Sequence, residues 1–138
     1  MDQDDALALV HHGLERTAAQ LGDITQPVLE RFYARMPEAR GSFEQHWPGK
    51  ATQLEEEMTG NALYFIMTWH ERPTEVRYAL WSSVPHHQVA LGIPANWYGA
   101  FMDAAIEIIC ETAGPADMAE KAMWQDMRAA FRQLIETC

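Results

Sequence analysis

Six histidines give this 138-residue chain its widest chemical repertoire, and four of them stand in adjacent pairs, His11-His12 and His86-His87. A neutral imidazole binds metals, and near neutral pH it also exchanges protons. Its companions decide which role is open. No Ser/His/Asp or Cys/His nucleophile arrangement, phosphate loop or zinc spacing occurs in the chain. The acidic run Glu55-Glu56-Glu57 reads as a solvated face, because consecutive residues on a helix point about 100° apart. His11, His12 and His70 read as surface residues. His46, beside Trp47, reads as a solvated loop residue, with a second reading in which it swings inward as a ligand or touches a cofactor's edge. That leaves His86-His87, of which only one can face a given pocket.

The pair sits next to a corner. Gly92 suits the left-handed position just past a helix end, and Pro94 suits the first turn of the next helix. Trp97, Tyr98 and Phe101 then open an apolar stripe. A histidine one turn before such a corner is aimed rigidly into the space between two helices.

The elements that must hold it all read as helices. Leu7, Val10, Leu14, Ala18 and Leu21 recur at helical spacing over Asp5 to Leu21, and Gly22-Asp23 ends that run. Thr25 is expected to cap a second helix with Pro27 in its first turn and Val28, Phe32 and Met36 on one face. Met36-Pro37 closes it. Glu44 to Gly49 reads as a loop. Pro48 is expected to start a helix running to about Trp69, with Leu54, Met58, Ala62, Phe65 and Trp69 on one stripe. Thr74 caps a segment from Glu75 through Trp81, which Pro85 is expected to interrupt and kink. Pro94 to Thr112 forms a long helix burying Trp97, Phe101, Ala105, Ile108 and Ile109. After Gly114-Pro115 a last helix near Asp117 turns Met123, Met127, Phe131 and Leu134 inward. The expected fold class is all-α, about seven helices in one domain spanning 1–138. Phe32, Phe65, Trp97 and Phe101 read as core.

Composition narrows the partners. A net charge of −10 disfavours nucleic acid and anionic membranes. No apolar run approaches the ~18 residues that span a bilayer, and the acidic start Met1-Asp2-Gln3-Asp4-Asp5 is unlike a secretory signal. A cytoplasmic location is therefore expected. Two cysteines, Cys110 and Cys138, imply no disulfide framework.

The corner also carries a family resemblance. His87, with Leu91 four residues on, Ile93 at six and Tyr98 at eleven, resembles the proximal-histidine segment of globins. Leu91-Gly92-Ile93 followed by Trp97-Tyr98-Gly99-Ala100-Phe101 looks most like the sensor globins, those of globin-coupled sensors and protoglobins. These usually have one residue fewer between histidine and glycine, a count that points to Gln88; glutamine is a poor haem ligand, and the vertebrate-type spacing points to His87. Ile24 to Phe43 resembles the second helix and following corner of bacterial globins. Together the two stretches cover about a quarter of the chain.

The resemblance implies a globin fold around one non-covalent haem b, with His87 as the iron ligand and its other ring nitrogen bonded to a carbonyl or water. It places Phe43 against the haem and Leu29 where many bacterial and sensor globins have tyrosine, with Tyr33 one turn further. Leu54 and Met58 face the open coordination site; Gln53, or Thr59 in another register, stands as the polar contender. Leu91, Ile93 and Tyr98 complete the lining. Such a wall gives a gas held there no histidine donor. The implied function is reversible binding of O2, NO or CO by a sensor or carrier rather than an enzyme. Signals would pass to a separate output protein, and the last two long helices would form a homodimer interface. The alternative is a haem-free globin module for sensing or protein interaction.

Overall fold

Asp2 starts the chain's first helix: its carboxylate accepts the Asp5 N–H at 2.8 Å, opening α1 (Gln3–Leu21). The computed structural model describes residues 1–138, and every regular element is a helix. After α1 come α2 (Thr25–Arg35), α3 (Glu38–His46), α4 (Ala51–Thr68), α5 (Pro73–Leu91), α6 (Ala95–Glu111) and α7 (Met118–Glu136). None is long and apolar enough to cross a membrane.

The ends of these helices differ from the sequence reading in instructive ways. Thr25 is the first residue of α2 rather than its cap; the cap position is Ile24, and Asp23 before it accepts both the Thr25 N–H at 2.9 Å and the hydroxyl at 2.7 Å. The expected loop from Glu44 is helical as far as His46, and α4 begins at Ala51 rather than Pro48. Pro73, not Thr74, opens α5, since proline loses nothing where a helical N–H has no partner. Pro85 lies inside α5 and does not end it. Gly92 is left-handed as expected, at φ 66°.

The core explains why α6 is the most apolar of the helices. It touches α1, α2, α4, α5 and α7, and Trp97, Phe101, Ala105, Ile108 and Ile109 are all buried. From α7, Met123, Trp124, Met127, Phe131 and Leu134 close one side, and α2 closes another with Val28, Leu29 and Phe32. The large apolar residues of α6 and α7, where the resemblance implied a dimer interface, are thus largely used within the chain; Met118 alone among them is exposed.

One polar cluster is sealed into this core. Glu120 on α7 is 2 % exposed. Arg16 of α1 grips it through both terminal guanidinium nitrogens, at 2.8 and 2.5 Å, and the Trp124 indole donates at 2.8 Å. Burial alone would favour a neutral carboxyl, but these donors outweigh it and hold Glu120 below its ordinary range. Gly13 lets α1 approach this close, because a Cβ there would stand 2.7 Å from Trp124.

Candidate functional site

His87 lies on the last turn of α5, and its environment fixes its chemistry. Its Nδ1 donates to the Ser83 carbonyl one turn earlier at 2.7 Å. A carbonyl only accepts, so Nδ1 carries a proton, and in the neutral ring the lone pair free for a ligand is that of Nε2. The Tyr98 hydroxyl, from α6, is 3.2 Å from the same Nδ1 and 2.6 Å from Ser83 Oγ. Burial pushes the Tyr98 phenol up, with the Ser83 contact pulling the other way, so the hydroxyl stays protonated. His86 is exposed and its ring stands at 89° to that of His87. The His87 carbonyl anchors the corner, accepting the N–H of Gly92 and, at 3.1 Å, that of Ile93. The Gly92 bond reaches five residues back rather than four, so the turn carrying the imidazole is wider than a regular α-helical one.

His87 lines a cavity of about 220 Å³ between α2, α3, α4, α5 and α6. That is room for roughly seven water molecules at ~30 Å³ each, more than a packing defect but less than the ~300 Å³ at which ligand pockets usually begin, so a large planar group would need the walls to part. Six of the expected site residues line it: Phe43, Leu54, Met58, His87, Ile93 and Tyr98. Leu29 and Leu91 do not. Leu29 is buried in the core while its neighbour Phe32 turns to the cavity, and Leu91 packs half-buried at the end of α5.

Phe32, Phe65, Trp97 and Phe101, expected as plain core, all face the cavity as well. Phe43 sits among them, 6.1 Å from the Trp97 ring and 6.2 Å from that of Trp47. Trp47, Ala62 and Met102 complete the apolar wall.

Two polar lining residues come from the opposite side. Glu57 and Asn61, both exposed, stand on the α4 face that also presents Leu54, Met58, Ala62 and Phe65. The wall from α4 is therefore not wholly apolar. Neither polar contender named from the sequence is there: Gln53 is exposed and bonds Glu57 at 3.2 Å, and buried Thr59 donates to the Glu55 carbonyl. Tyr33 donates to Glu55 at 2.7 Å, so part of the acidic run is engaged rather than free in solvent. His46 is exposed, its Nδ1 donating to the Ser42 carbonyl at 2.8 Å. His70, expected at the surface, is instead half-buried; its Nε2 is buried without a hydrogen-bond partner, and burial lowers its pKa.

The donor set limits what a metal at this site would be. No three His, Cys, Asp or Glu side chains converge anywhere in the chain, so the protein builds no metal cage of its own. A single imidazole on an apolar wall fits an ion that brings its other ligands with it, as iron in a porphyrin does. Apolar and aromatic walls suit the macrocycle, and Glu57 and Asn61 leave the exposed edge polar. The residues present fit such a group. No family model, curated protein or solved structure matches the chain.

Proposed function

We propose that this chain is a globin that holds one haem b and reversibly binds a diatomic gas, as a sensor or carrier rather than an enzyme. One observation carries this reading: a cavity with aromatic walls and one imidazole whose Nδ1 proton is already committed to the Ser83 carbonyl. That hydrogen bond orients the ring and would raise its basicity towards an iron. The resemblance around His87 and the all-helical architecture support the same reading.

In it, His87 would hold the iron and Phe43, Ile93 and Tyr98 would support the macrocycle. Leu54, Met58, Ala62 and Phe65 of α4 would wall the space left for the gas, with Asn61 at its rim. Haem, when bound, would supply an iron that holds O2, NO or CO reversibly. No histidine stands on α4 to compete with the gas. Acting as a sensor, the chain would pass its signal to a separate output protein.

The test is optical. Protein expressed with ample haem, purified and reduced, is scanned under nitrogen and then under carbon monoxide. A Soret band that shifts under carbon monoxide and returns when it is removed supports gas binding. A haem spectrum unmoved by the gas refutes it, and a sample that takes up no haem favours the haem-free sensory or interaction module instead.

A further inference from the structure

We propose that the outer face of α5 is a homodimerisation surface, on which a second copy of this chain packs its own α5 across a two-fold axis. Tyr78, Trp81, Pro85 and Val89 recur at helical spacing and share one stripe. Three of them are large apolar groups left in solvent, Tyr78 65 %, Trp81 45 % and Val89 88 % exposed. The Tyr78 and Trp81 rings already meet edge to face at 5.7 Å. Tyr64 and Met67 of α4 are also exposed, and the Tyr64 hydroxyl bonds Glu75 of α5 at 3.2 Å, tying the two helices into one surface. The other exposed large apolar residues, Met1, Leu21 and Met118, sit singly at the N-terminus or at helix ends.

Size and charge together say what covers this surface. Its apolar side chains present on the order of 500 Å² per copy, at the upper end of what a monomer leaves bare. A standard interface takes about 800 Å² per partner, and Thr74, Ser82 and Gln88, exposed beside the stripe, extend it.

The nineteen residues of α5 hold one acid, Glu75, and one base, Arg77, so their formal charge is zero. The rest of the chain carries the whole −10. Two such copies repel over most of their surfaces and least along α5. A basic partner finds little to hold there, because Glu75 is taken by Arg72 at 2.8 Å and by Tyr64. Arg77 in turn lies over the Trp69 ring at 5.2 Å. An antiparallel two-fold pairing sets Tyr78 of each copy against Val89 of the other, an isologous contact that closes on itself.

Sedimentation equilibrium on the full chain tests this, and it does not depend on whether the cavity takes haem. The expected result is a monomer–dimer equilibrium in the micromolar range. Raising the salt from ~10 to ~150 mM should tighten it, because the Debye length falls from ~30 to ~8 Å and screens the net repulsion. Val89→Glu, at a position too exposed to disturb folding, should weaken the dimer at least tenfold, as should Trp81→Glu. Ala129→Glu, an exposed position on α7, should leave it unchanged. A chain monomeric up to about 1 mM overturns the proposal, as does a dimer that Val89→Glu and Trp81→Glu leave intact. A dimer that salt weakens, or that only Ala129→Glu breaks, overturns it equally.

Discussion

Replacing His87 and His86 one at a time by alanine separates two adjacent imidazoles whose surroundings differ sharply. His87 gives Nδ1 to the Ser83 carbonyl and touches the Tyr98 hydroxyl, whereas His86 is exposed. Without haem, His87→Ala forfeits one neutral hydrogen bond, about 1 kcal/mol, which for a chain of this length lowers Tm by roughly 3–4 °C. His86→Ala should change Tm very little. Haem that binds only the folded state adds ~4 kcal/mol when its free concentration is about a thousandfold above Kd, or roughly 12–16 °C. A thousandfold loss of affinity reduces that gain to ~0.4 kcal/mol at the same concentration. Thermal melts with and without haem should therefore show a large haem-dependent shift for the parent chain and for His86→Ala, and almost none for His87→Ala. If His86→Ala is the variant that loses the shift, the register is off by one residue. Equal shifts in all three would refute an iron-holding role for either histidine.

Three further outcomes follow from the packing. Gly13→Ala should destabilise by about 1–3 kcal/mol in urea unfolding despite alanine's better helix propensity, because its Cβ would meet Trp124 at 2.7 Å; an unchanged or higher midpoint contradicts the close approach of α1. Arg16→Met should cost about 3–5 kcal/mol by stranding the buried Glu120 carboxylate, with Glu120→Gln in the same chain restoring part of it; a loss under 1 kcal/mol means water reaches Glu120. His70 resists protonation in the fold, so the unfolded chain takes up the proton first as pH falls below ~6.5. Stability should then decline from pH ~6.5 towards the lowered folded value, and His70→Leu should flatten that decline in urea midpoints measured from pH 7.5 to 5.5.

How much was legible depended on how each residue signals. The apolar periodicities of α6 and α7 and the Gly92 corner read directly, because burial and a left-handed φ leave few alternatives. The α1 stripe did not: of its five residues only Val10 is buried, Ala18 and Leu21 are exposed, and Ala6, Gly13 and Thr17 form the inner face instead. The extent of α3 did not: Glu-Ala-Arg-Gly-Ser-Phe-Glu-Gln-His is mostly polar, with Ala39 and Phe43 its only buried residues. Pro85 signalled a break that the neighbouring turns of α5 absorb. Leu29 and Phe32 lie three residues apart on one helix, and periodicity cannot tell which meets the cavity and which the core. Following only the apolar stripe of α4 hid Glu57 and Asn61 on its flank. Ser83, by contrast, carried a usable signal, since the residue four before a helical histidine offers its carbonyl to that ring.

Titration of the haem-free protein with haem, followed at the Soret band, tests the central claim most directly. The expected result is a rise that breaks at one equivalent per chain, with the break abolished in His87→Ala and kept in His86→Ala. A featureless rise without a stoichiometric break in the parent chain, matching that of haem added to an unrelated protein, would contradict it.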